Sequence, residues 1–246
     1  MSIVRVAVLS DIHSNLEALC AVIDDAGGRQ AIDEVWCLGD MVGYGPDPNA
    51  CLDLLMSMNH VMVAGNHDLA AVGILSLAEF NPYAAEACRW TSECLTVEHR
   101  ETLANLPLRE EREPFTIVHG SPRNPAWEYV TSAGQARACL EHVDTPCCLV
   151  GHTHLPMVFR LTHTGVAGEW ARAGQVVSIA GERLVLNPGG VGQPRDGDPR
   201  ACYAIYDVYE ATVELRRVAY DIGKTQRKMR AAGLPEYLAE RLSYGR

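Results

Sequence analysis

No apolar run in this 246-residue chain approaches the ~18 residues that a membrane-spanning helix needs. The N-terminus also lacks the charged-then-apolar pattern of a secretory signal. Met1-Ser2 leads straight into an apolar run, so a cytoplasmic protein with no membrane partner is expected. Thiolate metal sites are absent too, because none of the nine cysteines forms a CxxC pair. An odd count scattered through apolar and helical patterns reads as buried free thiols of a reducing compartment. Positive charge is scarce: Lys plus Arg number 21 against 31 Asp plus Glu, a net −10. That balance excludes broad nucleic-acid binding, which depends on clustered basic residues to displace counterions. A small phosphorylated substrate remains open, since bound metals would supply the local positive charge. With no repeat, low-complexity tract or linker, one domain over residues 1–246 is expected, and 48% hydrophobic residues suffice for a sizeable core.

What the chain does have is five short segments of metal-ligand residues, each directly behind an apolar run. They are Asp11-Ile12-His13 after Val4 to Leu9, and Gly39-Asp40 after Val35 to Leu38. Gly65-Asn66-His67-Asp68 follows Val61 to Ala64, Val118-His119-Gly120 closes Phe115 to Val118, and Gly151-His152-Thr153-His154 follows Cys147 to Val150. In open α/β sheets, ligands bind outside the carboxyl ends of the strands. Five buried strands would therefore deliver aspartates, an asparagine and histidines to one rim.

Carboxylate, amide and imidazole ligands suit Mn, Fe, Zn or Ni better than Cu(I). The number of ligands points to two divalent ions, which at about 3.5–4 Å apart can activate water and clamp a transferring phosphoryl group. Asp40 is the candidate bridge: it stands alone after its strand, whereas Asp11 has His13 two residues away to share a single ion. His152 and His154, at strand-like spacing, would give one ring to each metal.

Around these segments the front half alternates strand and helix. Strand Ile3–Leu9 precedes an amphipathic helix from Asn15 to Ala26, stopped by Gly27-Gly28. Strand Val35–Leu38, a helix near Pro48–Met58 and strand Val61–Ala64 complete a βαβαβ pattern with a mostly parallel sheet. Residues 73 to 112 read as two or three helices, either a wall over the site or packing at a sheet edge. After Gly151 the period shifts towards two. Segments Met157–Thr162, Gln175–Ile179, Leu184–Asn187, Ala201–Tyr206 and Thr212–Val218 predict a second, largely antiparallel sheet, and residues 223 to 246 predict terminal helices.

Taken in order, Asp-x-His, Gly-Asp, Gly-Asn-His-Asp, a lone His and Gly-His-x-His resemble the signature of the calcineurin-like metallophosphoesterase superfamily. The resemblance runs over roughly residues 3 to 210 and looks closest to the small bacterial and archaeal phosphoesterase branch. Supporting stretches are Gly39 to Pro48, His119 to Arg123 and Asn187 to Asp196. It implies a four-layer αββα sandwich of two mixed sheets flanked by helices. Asp11, His13, Asp40 and His154 would hold one metal; Asp40, Asn66, His119 and His152 would hold the other. His67 would act as the catalytic residue on the phosphate.

One departure from that signature concerns substrate. Protein phosphatases and symmetrical dinucleoside-tetraphosphate hydrolases of this superfamily continue Gly-Asp with Asp-Arg-Gly, whereas Gly39-Asp40 runs into Met41-Val42-Gly43-Tyr44-Gly45. The phosphate-gripping arginine and the aspartate that orients the catalytic histidine are missing there. Arg123 or Arg195 could replace the first, and Asp68 or Asp47 the second. Tyr44, four residues after Asp40, is placed to meet the leaving group, and Trp127 and Tyr129 stack on a base or fill a core. His60, His99, His142 and His163 read as surface or structural. The expected function is hydrolysis of small phosphodiesters or phosphomonoesters by a metal-bridging hydroxide, with manganese among the candidate metals. Alternatives are a dinucleoside polyphosphate hydrolase and a protein-assembly scaffold, like the retromer subunit of similar fold.

Overall fold

Val6, Val8, Trp36 and Leu38 alternate with Ala7, Leu9, Val35 and Cys37, and both sets are buried. A strand apolar on both faces must be covered on both. A computed structural model of the protein, describing residues 4–27 and 31–246, shows how. The expected strand start at Ile3 and the helix stop at Gly28 lie outside the described residues.

In chain order the elements are β1 (Arg5–Leu9), α1 (Leu16–Asp25), β2 (Glu34–Cys37), α2 (Pro48–Met56), β3 (His60–Met62) and α3 (Asn66–Ala71). A 3-10 turn (Leu77–Glu79), α4 (Pro82–Cys94), α5 (Val97–Ala104), β4 (Arg109–Arg112), β5 (Phe115–Val118) and α6 (Ala133–Glu141) come next. Then follow β6 (Cys147–Leu149), β7 (Pro156–Thr162), β8 (Gly165–Trp170), β9 (Val176–Ser178), β10 (Leu184–Pro188), β11 (Ala201–Asp207) and β12 (Thr212–Val218). Helices α7 (Ile222–Ala231) and α8 (Glu236–Glu240) and a 3-10 turn (Arg241–Tyr244) close the chain. Among the described residues no helix is long and apolar enough to cross a membrane.

The strands form two six-stranded mixed sheets, β3-β2-β1-β11-β12-β9 and β4-β5-β6-β10-β7-β8. Their facing sides bury Val6, Val8, Trp36 and Leu38 against Phe115, Ile117, Leu149 and Leu184. Outer faces are covered by helices: α1 and α2 pack Leu19, Val22, Leu52 and Leu55 on the first sheet, while α6 packs Ala136, Cys139 and Leu140 on the second. The result is the αββα sandwich of two mixed sheets that the resemblance implied.

The division of strands differs from the sequence reading. Strands β11, β12 and β9 join the first sheet, β1 pairing antiparallel with β11 (Val8 opposite Ala204), while β5 and β6 found the second. The second sheet is accordingly mixed, with β5, β6 and β10 parallel. The helices after β3 carry the chain from one sheet to the other, so three ligand strands end in one sheet and two in its neighbour. Within residues 73–112, Arg109–Arg112 is a strand rather than helix; it pairs antiparallel with β5 and gives that parallel strand its edge cover.

Candidate metal centre

The loops behind β1, β2, β3, β5 and β6 converge, and the backbone there is unusual. Eight non-glycine described residues have positive φ, and seven of them are Asp11, His13, Ser14, Asp40, Tyr44, His152 and His154. Left-handed backbone costs about 1–3 kcal/mol per residue and persists where the surroundings over-determine it. The surroundings here are backbone hydrogen bonds between the two loops of the first sheet: His13 N donates to Asp40 O (2.9 Å) and Ser14 N to Met41 O (2.9 Å). Close approach requires glycine at position 65, where a Cβ would lie 2.1 Å from Asp40 Oδ1.

The imidazoles are aimed by carbonyls. His13 Nδ1 faces Val42 O (3.1 Å), His119 Nδ1 faces Leu38 O (2.8 Å) and His154 Nδ1 faces Gln193 O (2.6 Å). Each Nδ1 must donate, so each neutral ring turns the lone pair of Nε2 inward, as second-layer partners of metal-binding histidines do. His13 Nε2 and His154 Nε2 then stand 3.2 Å apart, and His154 Nε2 lies 3.2 Å from Asp11 Oδ1. Across the site, His119 Nε2 lies 3.2 Å from Asn66 Oδ1, 3.1 Å from His152 Nδ1 and 3.3 Å from Asp40 Oδ2. Asp40 Oδ2 is also 3.6 Å from His13 Nε2. Acceptors face acceptors in this buried cluster, and Asp11 Oδ1 has no donor at all. A cation among them would satisfy these crowded lone pairs, so the residues fit divalent metal. Asp11, His13 and His154 could converge on one ion, and Asp40, His119 and His152 on another.

As bare side chains the groups disagree about charge. Burial raises Asp11 to about 7, against the pull of His119. Burial opposes ionisation of Asp40 too, yet His119 and His67 hold its carboxyl well below the usual range. Burial favours a neutral His119, but the Asp40 carboxylate beside it lifts that ring to about 9. His152 falls to about 3 through burial and the neighbouring His119. Bringing such unlike groups together is characteristic of functional sites.

His67 begins α3 beside Asn66, its backbone N–H donating to Asp40 Oδ1 (2.9 Å). Its ring packs against Tyr44, His13 and Phe80 at 4.4, 4.9 and 5.0 Å between centroids, and Nδ1 is buried without a partner. A ring nitrogen of His67 also lies within ligand distance of the His13 and Asp40 donors. Burial lowers His67 to about 4. Neither aspartate considered as its orienting partner is at the ring. Asp68 accepts from the N–H groups of Gly65, Asp40 and Val42, and Asp47 pairs with Lys228. Aromatic packing, with Phe80 from the segment after α3, does the positioning; nothing in the spacing of Phe80 announced this.

Asp40, Tyr44, Asn66, His67, Trp127, Tyr129, His152, His154 and Arg195 line a cavity of about 100 Å³, with Glu79, Phe80, Asn81 and Ala84 as a further wall. The helical segment after α3 thus forms a side of the cavity. Tyr129 stacks on His152 at 4.1 Å and 7°, and Trp127 meets Phe80 edge-on at 5.0 Å. The two arginines part company. Arg195 reaches the cavity, whereas Arg123 pairs with Glu128 and is not among its lining residues. His99 is structural, held between Asn49 and Asp53.

The loop bearing Arg195 is tied down by Asn15, expected only as a helix start, and by Arg217, which the sequence reading passed over. Asn15 caps α1 and donates to Gly192 O (2.9 Å), while Arg217 of β12, its side chain largely covered, pairs with Asp196 and donates to Asp198 O (3.3 Å). Arg217→Met should destabilise the fold by about 1–3 kcal/mol, because it leaves the half-buried Asp196 carboxylate without its partner. Urea denaturation reads this directly, and an unshifted midpoint would mean the pair does not anchor the loop.

Known proteins resemble this chain along most of its length. An uncharacterised protein of Methanocaldococcus jannaschii is 39% identical over 98% of both chains. The crystal structure of a metallophosphoesterase from Sphaerobacter thermophilus superposes with a TM-score of 0.90 at 46% identity, covering both chains completely. A symmetrical bis(5'-nucleosyl)-tetraphosphatase of Erwinia tasmaniensis is 22% identical, over 67% of this chain and 58% of that enzyme. The family model for the calcineurin-like phosphoesterase superfamily domain matches residues 4–211, spanning every loop of the buried cluster. The chain therefore belongs to the metal-dependent calcineurin-like phosphoesterase superfamily.

Proposed function

We propose that the protein is a hydrolase of small phosphodiesters or phosphomonoesters working with two divalent metals. The observation that carries this reading is the shared position of Asp40 Oδ2, 3.6 Å from His13 Nε2 in one ligand group and 3.3 Å from His119 Nε2 in the other. Asp11, His13, Asp40 and His154 would hold one ion, and Asp40, Asn66, His119 and His152 the second. Nitrogen and oxygen ligands of this kind favour Mn, Fe, Zn or Ni. When bound, the pair supplies Lewis acidity that activates water for attack on phosphorus and neutralises the phosphoryl oxygens. Because both sheets furnish ligands, the whole chain acts as one catalytic unit.

The chain's own residues then orient and protonate. Arg195 holds a phosphoryl oxygen in the role usually filled from an Asp-Arg-Gly element, and its fork is suited to that contact. His67, pinned by Tyr44 and Phe80, donates a hydrogen bond or proton to the leaving oxygen. Tyr44 and Phe80 exclude water on that side. Burial keeps His67 neutral, and the negative charge of a bound phosphoryl group favours its protonation. No serine or cysteine nucleophile is part of the mechanism.

Bis(p-nitrophenyl) phosphate should be hydrolysed faster than a phosphoserine peptide by the metal-loaded protein, since the Asp-Arg-Gly element of the protein phosphatases is missing after Gly39-Asp40. Equal or faster turnover of the peptide would overturn that preference. The resemblance to symmetrical tetraphosphatases supports a second reading, in which the substrate is a dinucleoside polyphosphate and Tyr129 or Trp127 meets a base at the cavity mouth. Activity confined to such substrates in a metal-supplemented screen would select it. Full metal loading with no turnover of any phosphoester would favour an assembly scaffold instead.

A further inference from the structure

Helix α7 lies beyond residue 211, where the matched family domain ends, yet it is bonded into the loops of the metal centre. Thr225 is fully buried, and its Oγ1 lies 3.1 Å from Asn15 Oδ1 and 3.2 Å from Glu17 Oε2. One turn on, Lys228 donates to Glu17 Oε1 (2.9 Å) and pairs with Asp47. Asn15 and Glu17 open α1 directly behind the Asp11-Ile12-His13 segment, and Asp47 opens α2 behind the Asp40 loop. One face of α7 therefore holds the starts of two helices.

From those starts the ties run on to one set of ligands. Asp47 N donates to Ser14 O (3.0 Å) and Gly45 N to His13 O (3.1 Å), which secures the backbone around His13. Asn15 Nδ2 donates to Gly192 O (2.9 Å), and Gly192 N donates to Asp11 O (2.9 Å). The next carbonyl, Gln193 O, faces His154 Nδ1 (2.6 Å). The approach is so close that a Cβ at Gly192 would lie 1.8 Å from Ile12 O. His13, Asn15, Tyr44, Gln193, Thr225 and Met229 meet around a void of about 10 Å³, the lower limit for a water molecule. Solvent has little room there to replace a lost contact. The other ligands are aimed differently. His119 Nδ1 faces Leu38 O and Asn66 begins α3, and among the described residues no hydrogen bond joins α7 to the loops behind β3 and β5.

We infer that α7, acting through Asn15, is a clamp that sets the metal position of Asp11, His13 and His154 and leaves the Asn66 and His119 position to the sheets. Asn15 and Thr225 are positioning residues, and neither is itself among the ligands. The inference rests on the two-metal reading of the site.

Titrating the full chain with manganese at buffered free metal, read as two binding steps, tests the clamp. Asn15→Asp is the most direct variant, because its carboxylate still caps α1 but sets an acceptor against Gly192 O. It should weaken one step by about tenfold or more, the range for partners that orient a ligand, and leave the other within about twofold. Thr225→Val removes the hydroxyl at nearly constant shape and should cost about threefold at the same step, with Thr225→Ser restoring it. In an Asp11→Asn background, where that position is already lost, Asn15→Asp should leave the remaining step within about twofold. Urea midpoints establish that the variants are folded. Equal weakening of both steps, or of neither, would overturn the clamp and leave the hydrolase reading untouched. A single binding step in the wild type would overturn both. Selective weakening in a protein that hydrolyses no phosphoester would sink the proposed function and leave the clamp standing.

Discussion

Asp40→Asn should retain less metal than Asp11→Asn, and the difference should be large. Removing a residue that merely orients a ligand typically costs about 10–100-fold in metal affinity, so losing a shared ligand should exceed about 10²-fold for both ions. The hydrogen bonds around Asp40 make the substitution more disruptive than its size suggests. Oδ1 accepts from His67 N, leaving Oδ2 to face His13 and His119. An asparagine that keeps the first bond must turn its NH₂ towards both imidazoles, placing a donor where a cation is needed. Asp11 is different: Oδ2 accepts from Ser10 Oγ (2.7 Å) and His152 N (3.1 Å), and only Oδ1 faces His154. Its substitution should empty one position. Elemental analysis after dialysis of folded variants separates the cases, and near-full occupancy in Asp40→Asn would remove the bridging assignment.

His67→Ala should keep both metals and the fold while losing roughly 10²-fold or more in kcat on substrates with poor leaving groups, the usual range for a general acid. The loss should shrink for p-nitrophenolate, which needs little protonation. Full turnover on a poor leaving group would end the general-acid role. Loss of a metal would identify His67 as a ligand, a role its proximity to His13 and Asp40 permits. The split by leaving group is the informative readout, because a purely structural defect would slow all substrates alike.

That these side chains would gather in one buried cluster was legible because the relevant chemistry is local in sequence. Each segment sits within four residues of the end of an apolar run, and strand ends are where an α/β architecture gathers ligands. Pairing of strands was not legible in the same way. Val8 meets Ala204 across the first sheet, and nothing in the period-two pattern of Ala201–Asp207 says which sheet it will join. Strand β8 escaped notice because Gly165 to Trp170 is largely exposed and offers no apolar alternation. Helix α6 has only three buried residues to mark it. Arg123 and Arg195 could not be told apart by their distance from a ligand motif, since Glu128 decides the matter for Arg123. The loss of the Asp-Arg-Gly element was visible, but its consequence at His67 was not. The ring is held by Tyr44 and Phe80 rather than by Asp68, whose carboxylate is spent on three backbone N–H groups. The left-handed backbone at Asp11, His13, Asp40, His152 and His154 is tolerated best by Asp, Asn and His among non-glycine residues. Ligand identity and backbone conformation thus favour the same residue types, which helps explain why short motifs carry so much here.

Anomalous diffraction from crystals grown with manganese measures the central claim most directly. Two peaks about 3.5–4 Å apart, flanking Asp40 Oδ2 with His13 and His154 on one side and His119 and His152 on the other, are the expected result. A single peak at full occupancy, or two peaks that do not share Asp40, would contradict a dinuclear centre built around that carboxylate.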